Sequence, residues 1–289
     1  MSIDRVAVTG GNGTIGEAIL REFADAGYET VDIARGKRRE EVADGYRTTD
    51  LLDAGETYGS LAASDADAVV HMGTIPWPRS HPEHVTFESN AMSTYHVLEA
   101  ATELGLEAVV LPSSINVMGA DFQSAPTDVR YLPVDEDHPL TPRDPYALGK
   151  QTTEALGDGF GRRPDAPQVA SLRYPWVATD ERLRERIVET DRSLDAVRQR
   201  GRSTLFSYLH VADAATIARR AVETDFDGHE AFWAVAADTN VDPPSERLAA
   251  ECYPDAEVRG SLDGNESLIS TDKARELLGW EPERSWREY

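Results

Sequence analysis

Residues 5–16 read Arg-Val-Ala-Val-Thr-Gly-Gly-Asn-Gly-Thr-Ile-Gly, a β-branched run that breaks into glycines three positions apart at Gly10, Gly13 and Gly16. No other stretch restricts the fold so tightly. A strand must end near Thr9, the chain must turn where a Cβ would obstruct it, and a helix must open near Thr14. Residues without a Cβ let the backbone approach a pyrophosphate, whose charge then rests on the helix N-terminus. Gly10, Asn12, Gly13, Thr14, Ile15 and Gly16 are therefore the expected binding loop of a dinucleotide cofactor.

The pattern that begins there continues. Short strands are expected near residues 4–9, 28–33, 68–72, 107–112 and 168–174, with helices near 14–26, 54–62, 87–104 and 145–158. Such alternation predicts an α/β fold, a Rossmann-type doubly wound parallel sheet with a small C-terminal substrate lobe. Residues 113–145, with Pro126, Pro133, Pro139, Pro142 and Pro145, read as a long loop of the kind that carries function. A helix near 181–199, a strand near 204–210 and a helix near 211–223 follow, and then a small mixed lobe. The domain reading is residues 1–172 for the dinucleotide-binding part, with 204–224 returning to it, and 173–203 plus 225–289 for the lobe.

The end of the second strand should read the cofactor's ribose. Asp32 lies inside the strand pattern and would favour NAD, whereas Ala34 stands just past it, followed by Arg35 and then Lys37-Arg38-Arg39. An arginine there suits a 2′-phosphate. NADP is the expected cofactor, with NAD the alternative if Asp32 reaches the ribose. Asp50-Leu51 follows the presumed third strand, where a carboxylate can meet an adenine amino group. His71-Met72-Gly73 closes the fourth strand at the crevice where ligands bind in doubly wound sheets. His71 itself reads as a packed core histidine.

The chemistry is carried by Ser113-Ser114 and by Tyr146-Ala147-Leu148-Gly149-Lys150. Four residues apart on a helix, Tyr146 and Lys150 share a face. There the ammonium is expected to lower the phenol from its ordinary pKa of about 10 toward a useful general base.

These motifs, in this order, resemble the extended short-chain dehydrogenase/reductase family, which includes NAD-dependent epimerases and dehydratases. The resemblance covers nearly the whole chain. It includes Asn90-x-x-x-Thr94-x-x-Val97-Leu98-Glu99-Ala100-Ala101, Ser113-Ser114-Ile115-Asn116-Val117-Met118-Gly119, Arg173-Tyr174-Pro175, His210-Val211-Ala212-Asp213 and Leu277-Leu278-Gly279-Trp280-Glu281-Pro282. It implies that Ser114 binds the reacting oxygen, Tyr146 exchanges the proton and Lys150 holds the nicotinamide ribose. It also implies cofactor contacts from Met72, Gly73, Asn90 and Pro175. Many members pair through helices equivalent to 87–104 and 145–158, so a homo-oligomer is one possibility.

Three departures narrow the reaction. The 4,6-dehydratases carry Asp-Glu directly after the catalytic hydroxyl, where Ile115-Asn116 stands here. Arg173 and Leu209 are only 36 positions apart, which implies a smaller lobe and a smaller substrate than a nucleotide sugar. Met118 replaces the aromatic that usually precedes the glycine of the serine motif. The chain looks most like uronate dehydrogenase and the aldose 1-dehydrogenases of halophilic archaea, including those acting on L-arabinose. The expected activity is thus NADP-linked oxidation of a free sugar's anomeric hydroxyl to the aldonolactone, with a nucleotide-sugar 4-epimerase as the alternative. Thr74, Ser114, Asn116, Tyr146, Arg182 and Arg184 are the expected substrate contacts. Asn116 could instead cap a turn, and the arginines could be solvated on a charged helix.

Composition sets the outer limits. With 52 acidic residues against 29 basic ones, the net charge is −23, and the only lysines are Lys37, Lys150 and Lys273. Such a surface suits molar salt, where a Debye length of about 3 Å screens self-repulsion. It disfavours nucleic-acid binding. The single Cys252 excludes an internal disulfide and argues against a cysteine-based metal site. No apolar run is long enough to span a bilayer, and no signal peptide is legible before the first strand. A cytoplasmic enzyme without a metal is the expectation.

Overall fold

The computed structural model describes residues 3–38, 42–120 and 127–289. Arg39 and Pro126, noted above, lie outside them. The first half runs β1 (Arg5–Thr9), α1 (Thr14–Asp25), β2 (Glu29–Ala34), β3 (Gly45–Thr48), α2 (Ala54–Ser64), β4 (Ala68–His71), α3 (Glu83–Leu104) and β5 (Ala108–Ser114). It continues with β6 (Tyr131–Leu132), α4 (Pro145–Gly161), β7 (Gln168–Tyr174), β8 (Val177–Ala178), α5 (Asp180–Leu183), α6 (Leu194–Ser203), β9 (Leu209–His210) and α7 (Val211–Glu223). The end of the chain adds β10 (His229–Trp233), α8 (Ser245–Cys252), β11 (Glu257–Val258) and α9 (Asp272–Leu278).

Seven parallel strands form the main sheet in the order β10-β7-β5-β4-β1-β2-β3. The strand order reverses between β1 and β4, which opens a crevice at their C-terminal ends. Alternation along the strands sorts apolar side chains into two layers. Val6, Val8, Val70, Val110 and Leu172 join Ile19 and Phe23 of α1 and Ile217 and Ala218 of α7. On the other face Ala7, Ile33, Val69, Val109 and Leu111 meet Val97 and Leu98 of α3 and Phe160 of α4. A third core, built from Val117, Met118, Trp233, Val235, Leu248 and Leu268, holds the C-terminal segments against the end of the sheet.

Several elements depart from the expected layout. The strand expected over 204–210 is only β9, because Leu205 and Phe206 adopt positive φ values of 52° and 55° and turn the chain back. Phe206 fills the space beside Gly201, where a Cβ would lie 2.2 Å from its ring. The helix expected over 181–199 divides into α5, a π-helical turn at Arg184–Val188, and α6. Residues 229–233, read with the lobe, form β10 at the edge of the main sheet. Within the loop region, β6 pairs in parallel with the distant β11.

Candidate active site

A cavity of about 920 Å³ occupies the crevice. Its floor is the β1–α1 turn. Gly10 has φ +73°, and a Cβ on it would meet the Met72 carbonyl carbon at 2.8 Å; a Cβ on Gly16 would meet the Gly10 oxygen at 2.4 Å. Gly13 caps α1 without any side-chain hydrogen bond, and Thr14, Ile15 and Gly16 of its first turn line the cavity. Uncapped N–H groups at a helix start, on a turn that excludes Cβ atoms, fit a pyrophosphate. The residues present therefore suit a dinucleotide.

At the second strand the two candidates separate. Asp32 is 5% exposed, and its carboxylate accepts a 3.0 Å hydrogen bond from the Gly11 amide, so it lies beneath the glycine turn. Ala34 and Arg35, in contrast, line the cavity. Asp50 and Leu51 also line it, as do Met72, Gly73, Thr74 and Pro175.

Asp144 and Pro145 fix the start of α4. The Asp144 carboxylate accepts from the amides of Tyr146 and Ala147, each at 2.9 Å, and Pro145 occupies the first helical turn. This cap aims Tyr146 at the end of β5. Gly149 lets α4 approach α3, since a Cβ there would lie 2.8 Å from the Asn90 Cβ. Ser114 closes β5, and its hydroxyl donates to Asn116 Oδ1 at 3.0 Å while accepting from the Asn116 amide at 3.2 Å. Asn116 lines the cavity, yet its Nδ2 donates to the Ala120 carbonyl at 3.2 Å, so its amide braces the serine loop.

The electrostatics correct one expectation. Burial pushes the Tyr146 phenol up to about 12, opposed by its hydrogen bond with Ser114. Burial likewise brings the Lys150 ammonium down to about 7. Lys150 Nζ lies 5.5 Å from the Tyr146 ring centroid and donates to Thr74 Oγ1 at 3.1 Å. Burial of the phenol thus raises it where a lowering by its helical neighbour was expected.

Beneath them lies a directed hydrogen-bond chain. Thr9 Oγ1 accepts from the Met72 and Gly73 amides at 3.0 Å each, which leaves its proton for His71 Nδ1 at 2.7 Å. His71 Nε2–H then donates to Ser93 Oγ at 3.2 Å, and Ser93 donates to the Ser89 carbonyl. The ring is fully buried and neutral, its pKa brought down to about 3 by burial and then by the Lys150 charge. His71 is structural, as its sequence context suggested.

Two expected site residues lie off the cavity. Asn90 is fully buried, and its Nδ2 ties the carbonyls of Ile75 and Thr86 together at 3.1 and 2.9 Å. Arg184 points elsewhere, its guanidinium 5.1 Å from the Tyr289 ring. Arg182 does line the cavity, joined by Trp77, Trp176 and Arg186, which sequence reasoning passed over. The available signals were a tryptophan between two prolines in the segment between β4 and α3, and an arginine four positions beyond Arg182. A buried ion pair also went unread. Arg173 Nε and Nη2 each donate to Glu154 at 2.9 Å, and the Ser113 hydroxyl donates to the same carboxylate. This pair pins β7, α4 and the end of β5 together.

Comparison with known proteins agrees with this geometry. The model of the NAD dependent epimerase/dehydratase family matches residues 6–234. A putative UDP-glucose 4-epimerase of Methanocaldococcus jannaschii is 27% identical over 58% of this chain and 54% of its own length. The chain thus spans about half the length of that relative. An NAD-dependent glucose-6-phosphate dehydrogenase of Haloferax volcanii is 23% identical over 98% of this chain and 95% of the relative. Among solved structures, a UDP-galactose 4-epimerase superposes with a TM-score of 0.69 at 25% identity, covering 98% of this chain and 95% of the other.

Proposed function

Because the chain belongs to the NAD dependent epimerase/dehydratase family, we propose that it is an NADP-preferring sugar 1-dehydrogenase. It oxidises the anomeric hydroxyl of a free pentose or hexose, such as L-arabinose, to the aldonolactone. One observation carries the reading: Ser114, Tyr146 and Lys150 share the cavity with the glycine turn, and Asp50 is the sole carboxylate in its described lining. Dehydration would need an acid and a base beside the reacting carbon, and the positions after Ser114 hold Ile115 and a braced Asn116 instead.

The glycine turn, Arg35, Asp50, Leu51, Met72, Gly73 and Pro175 would hold the dinucleotide, Arg35 being the residue suited to a 2′-phosphate. Asp32 is engaged by the Gly11 amide, which favours that assignment over ribose recognition by an acid. A nicotinamide bound there would supply the acceptor for the hydride that leaves C1. Ser114 holds the sugar oxygen, and Tyr146, acting as the phenolate, takes its proton. Thr74 receives the Lys150 ammonium, which supplies positive charge near the phenol.

A nucleotide-sugar 4-epimerase with retained NAD is the second reading, favoured by the similarity to UDP-glucose and UDP-galactose 4-epimerases. A panel of free aldoses and UDP-sugars with NADP or NAD, in multimolar KCl, separates the two. Growth of the reduced nicotinamide's absorbance with a free sugar, faster with NADP, is the expected result. Interconversion of UDP-sugars without net reduction would establish the epimerase.

A further inference from the structure

We propose that Tyr289 is a positioning residue, which holds the α5 wall of the cavity in place through Asp180 and Arg184. This assignment rests on a sugar entering the cavity, which the dehydrogenase and epimerase readings share. Little of that wall is fastened from within. Arg182 of α5 and Arg186 of the π-helical turn line the cavity together with Trp176 and Val177. Over residues 180–188 only Leu183 and Ile187 are buried, at 0% and 4% exposure. One α-helical turn joined to one π-helical turn is too short to be stable alone, so its place is set by its contacts.

Those contacts come from residues 285–289. Leu183 and Ile187 pack in an apolar cluster with Ala178, Tyr208 and Trp286. Trp286 is itself fixed, its amide donating to the Tyr208 hydroxyl at 3.0 Å and its Nε1 to the Thr239 carbonyl at 2.9 Å. Arg287 Nε donates to Asp238 at 3.0 Å, and its Nη2 donates to the Val241 carbonyl at 2.7 Å. The segment therefore stands on residues 238–241 as a post beside α5.

From that post Tyr289 reaches over. Its hydroxyl donates to the Asp180 carboxylate, which also accepts from His210 Nε2 at 2.8 Å, and its ring centroid lies 5.1 Å from the Arg184 guanidinium. Asp180 and Arg184 are four positions apart and share a face. Arg182 and Arg186, two positions beyond each of them, turn to the cavity instead. Tyr289 thus grips the outer side of a wall whose inner side faces the ligand. The grip is local, because Tyr289 is 36% exposed and its loss is felt first by the short segment it touches. The glycine turn, Arg35 and Asp50 follow β1, β2 and β3, on the other side of the sheet's reversal point. Cofactor binding should therefore be insensitive to Tyr289.

Tyr289→Ala in the full chain, in multimolar KCl, is the test. Hydrogen exchange followed by mass spectrometry should quicken about tenfold over residues 180–188 and stay unchanged over β5 and α4. With L-arabinose and NADP, KM for the sugar should rise about fivefold or more, while kcat stays within about twofold and the Kd for NADP is unchanged. Tyr289→Phe, which keeps the ring on Arg184 and loses the hydroxyl, should fall between. Unchanged exchange over 180–188, or quickened exchange with an unchanged KM, would overturn the assignment. Joint worsening of kcat, KM and NADP affinity would overturn it too, since that marks general loosening. Epimerisation of UDP-glucose without net reduction would overturn the dehydrogenase reading alone, and KM for UDP-glucose then decides the role of Tyr289 by the same comparison.

Discussion

Tyr146 and Lys150 sit one helical turn apart, and burial drives both toward their neutral forms, the phenol up to about 12 and the ammonium down to about 7. A phenol so placed gives up its proton only with help, which makes its hydroxyl indispensable. Tyr146→Phe should lower kcat by about 100-fold or more, with circular dichroism and KM little changed; near-normal kcat would remove Tyr146 from proton transfer. His71 carries the clearest pH signature. Its folded pKa of about 3 lies below the ordinary 6.5, so its neutral ring costs nothing above pH 6.5. Between those values the unfolded chain binds a proton that the folded chain refuses, and stability falls as pH falls, by about 1.4 kcal/mol per pH unit. His71→Gln should therefore be less stable at neutral pH but lose stability less steeply on acidification. Urea unfolding curves of both proteins across that window measure the difference, and parallel losses would contradict the assignment.

At the level of elements, the Arg173–Glu154 pair decides where the end of β5 lies. Both side chains are at most 8% exposed, so removal of one partner strands a buried charge. Arg173→Met should cost about 3–5 kcal/mol in urea unfolding and lower kcat as well, because Ser113 and Ser114 share the support. A cost under 1 kcal/mol would show the pair to be dispensable. The elements also show why some of the site was legible and some was not. The glycine turn and the start of α4 were readable because Gly10, Gly16, Asp144 and Pro145 act on their own backbone neighbourhood. Arg186 was missed because its position depends on a π-helical turn, which no 3.6-residue period announces. β10 was missed because an edge strand is defined by its partner β7, and the 204–210 region because Phe206 packs into the space left by Gly201. Tyr46 and Thr48, which donate to the Gly36 carbonyl at 3.1 and 3.0 Å, show how distant residues hold the turn after Arg35. Asp32 was ambiguous in sequence, and its engagement by the Gly11 amide is a contact only the folded turn creates.

For the molecule as a whole, a net charge of −23 predicts that stability depends on salt. Self-repulsion acts over about 10 Å at 0.1 M salt and about 3 Å at 1 M. Raising KCl across that range should increase the urea midpoint steadily, whereas a flat response would show that the acidic surface is no adaptation to salt. The dehydrogenase reading requires net oxidation. With limiting enzyme in multimolar KCl, excess NADP and a free sugar such as L-arabinose, reduced cofactor should accumulate to many equivalents per enzyme and be matched one for one by aldonolactone. Absence of net reduced cofactor with every free sugar, together with conversion of UDP-glucose to UDP-galactose, would contradict it.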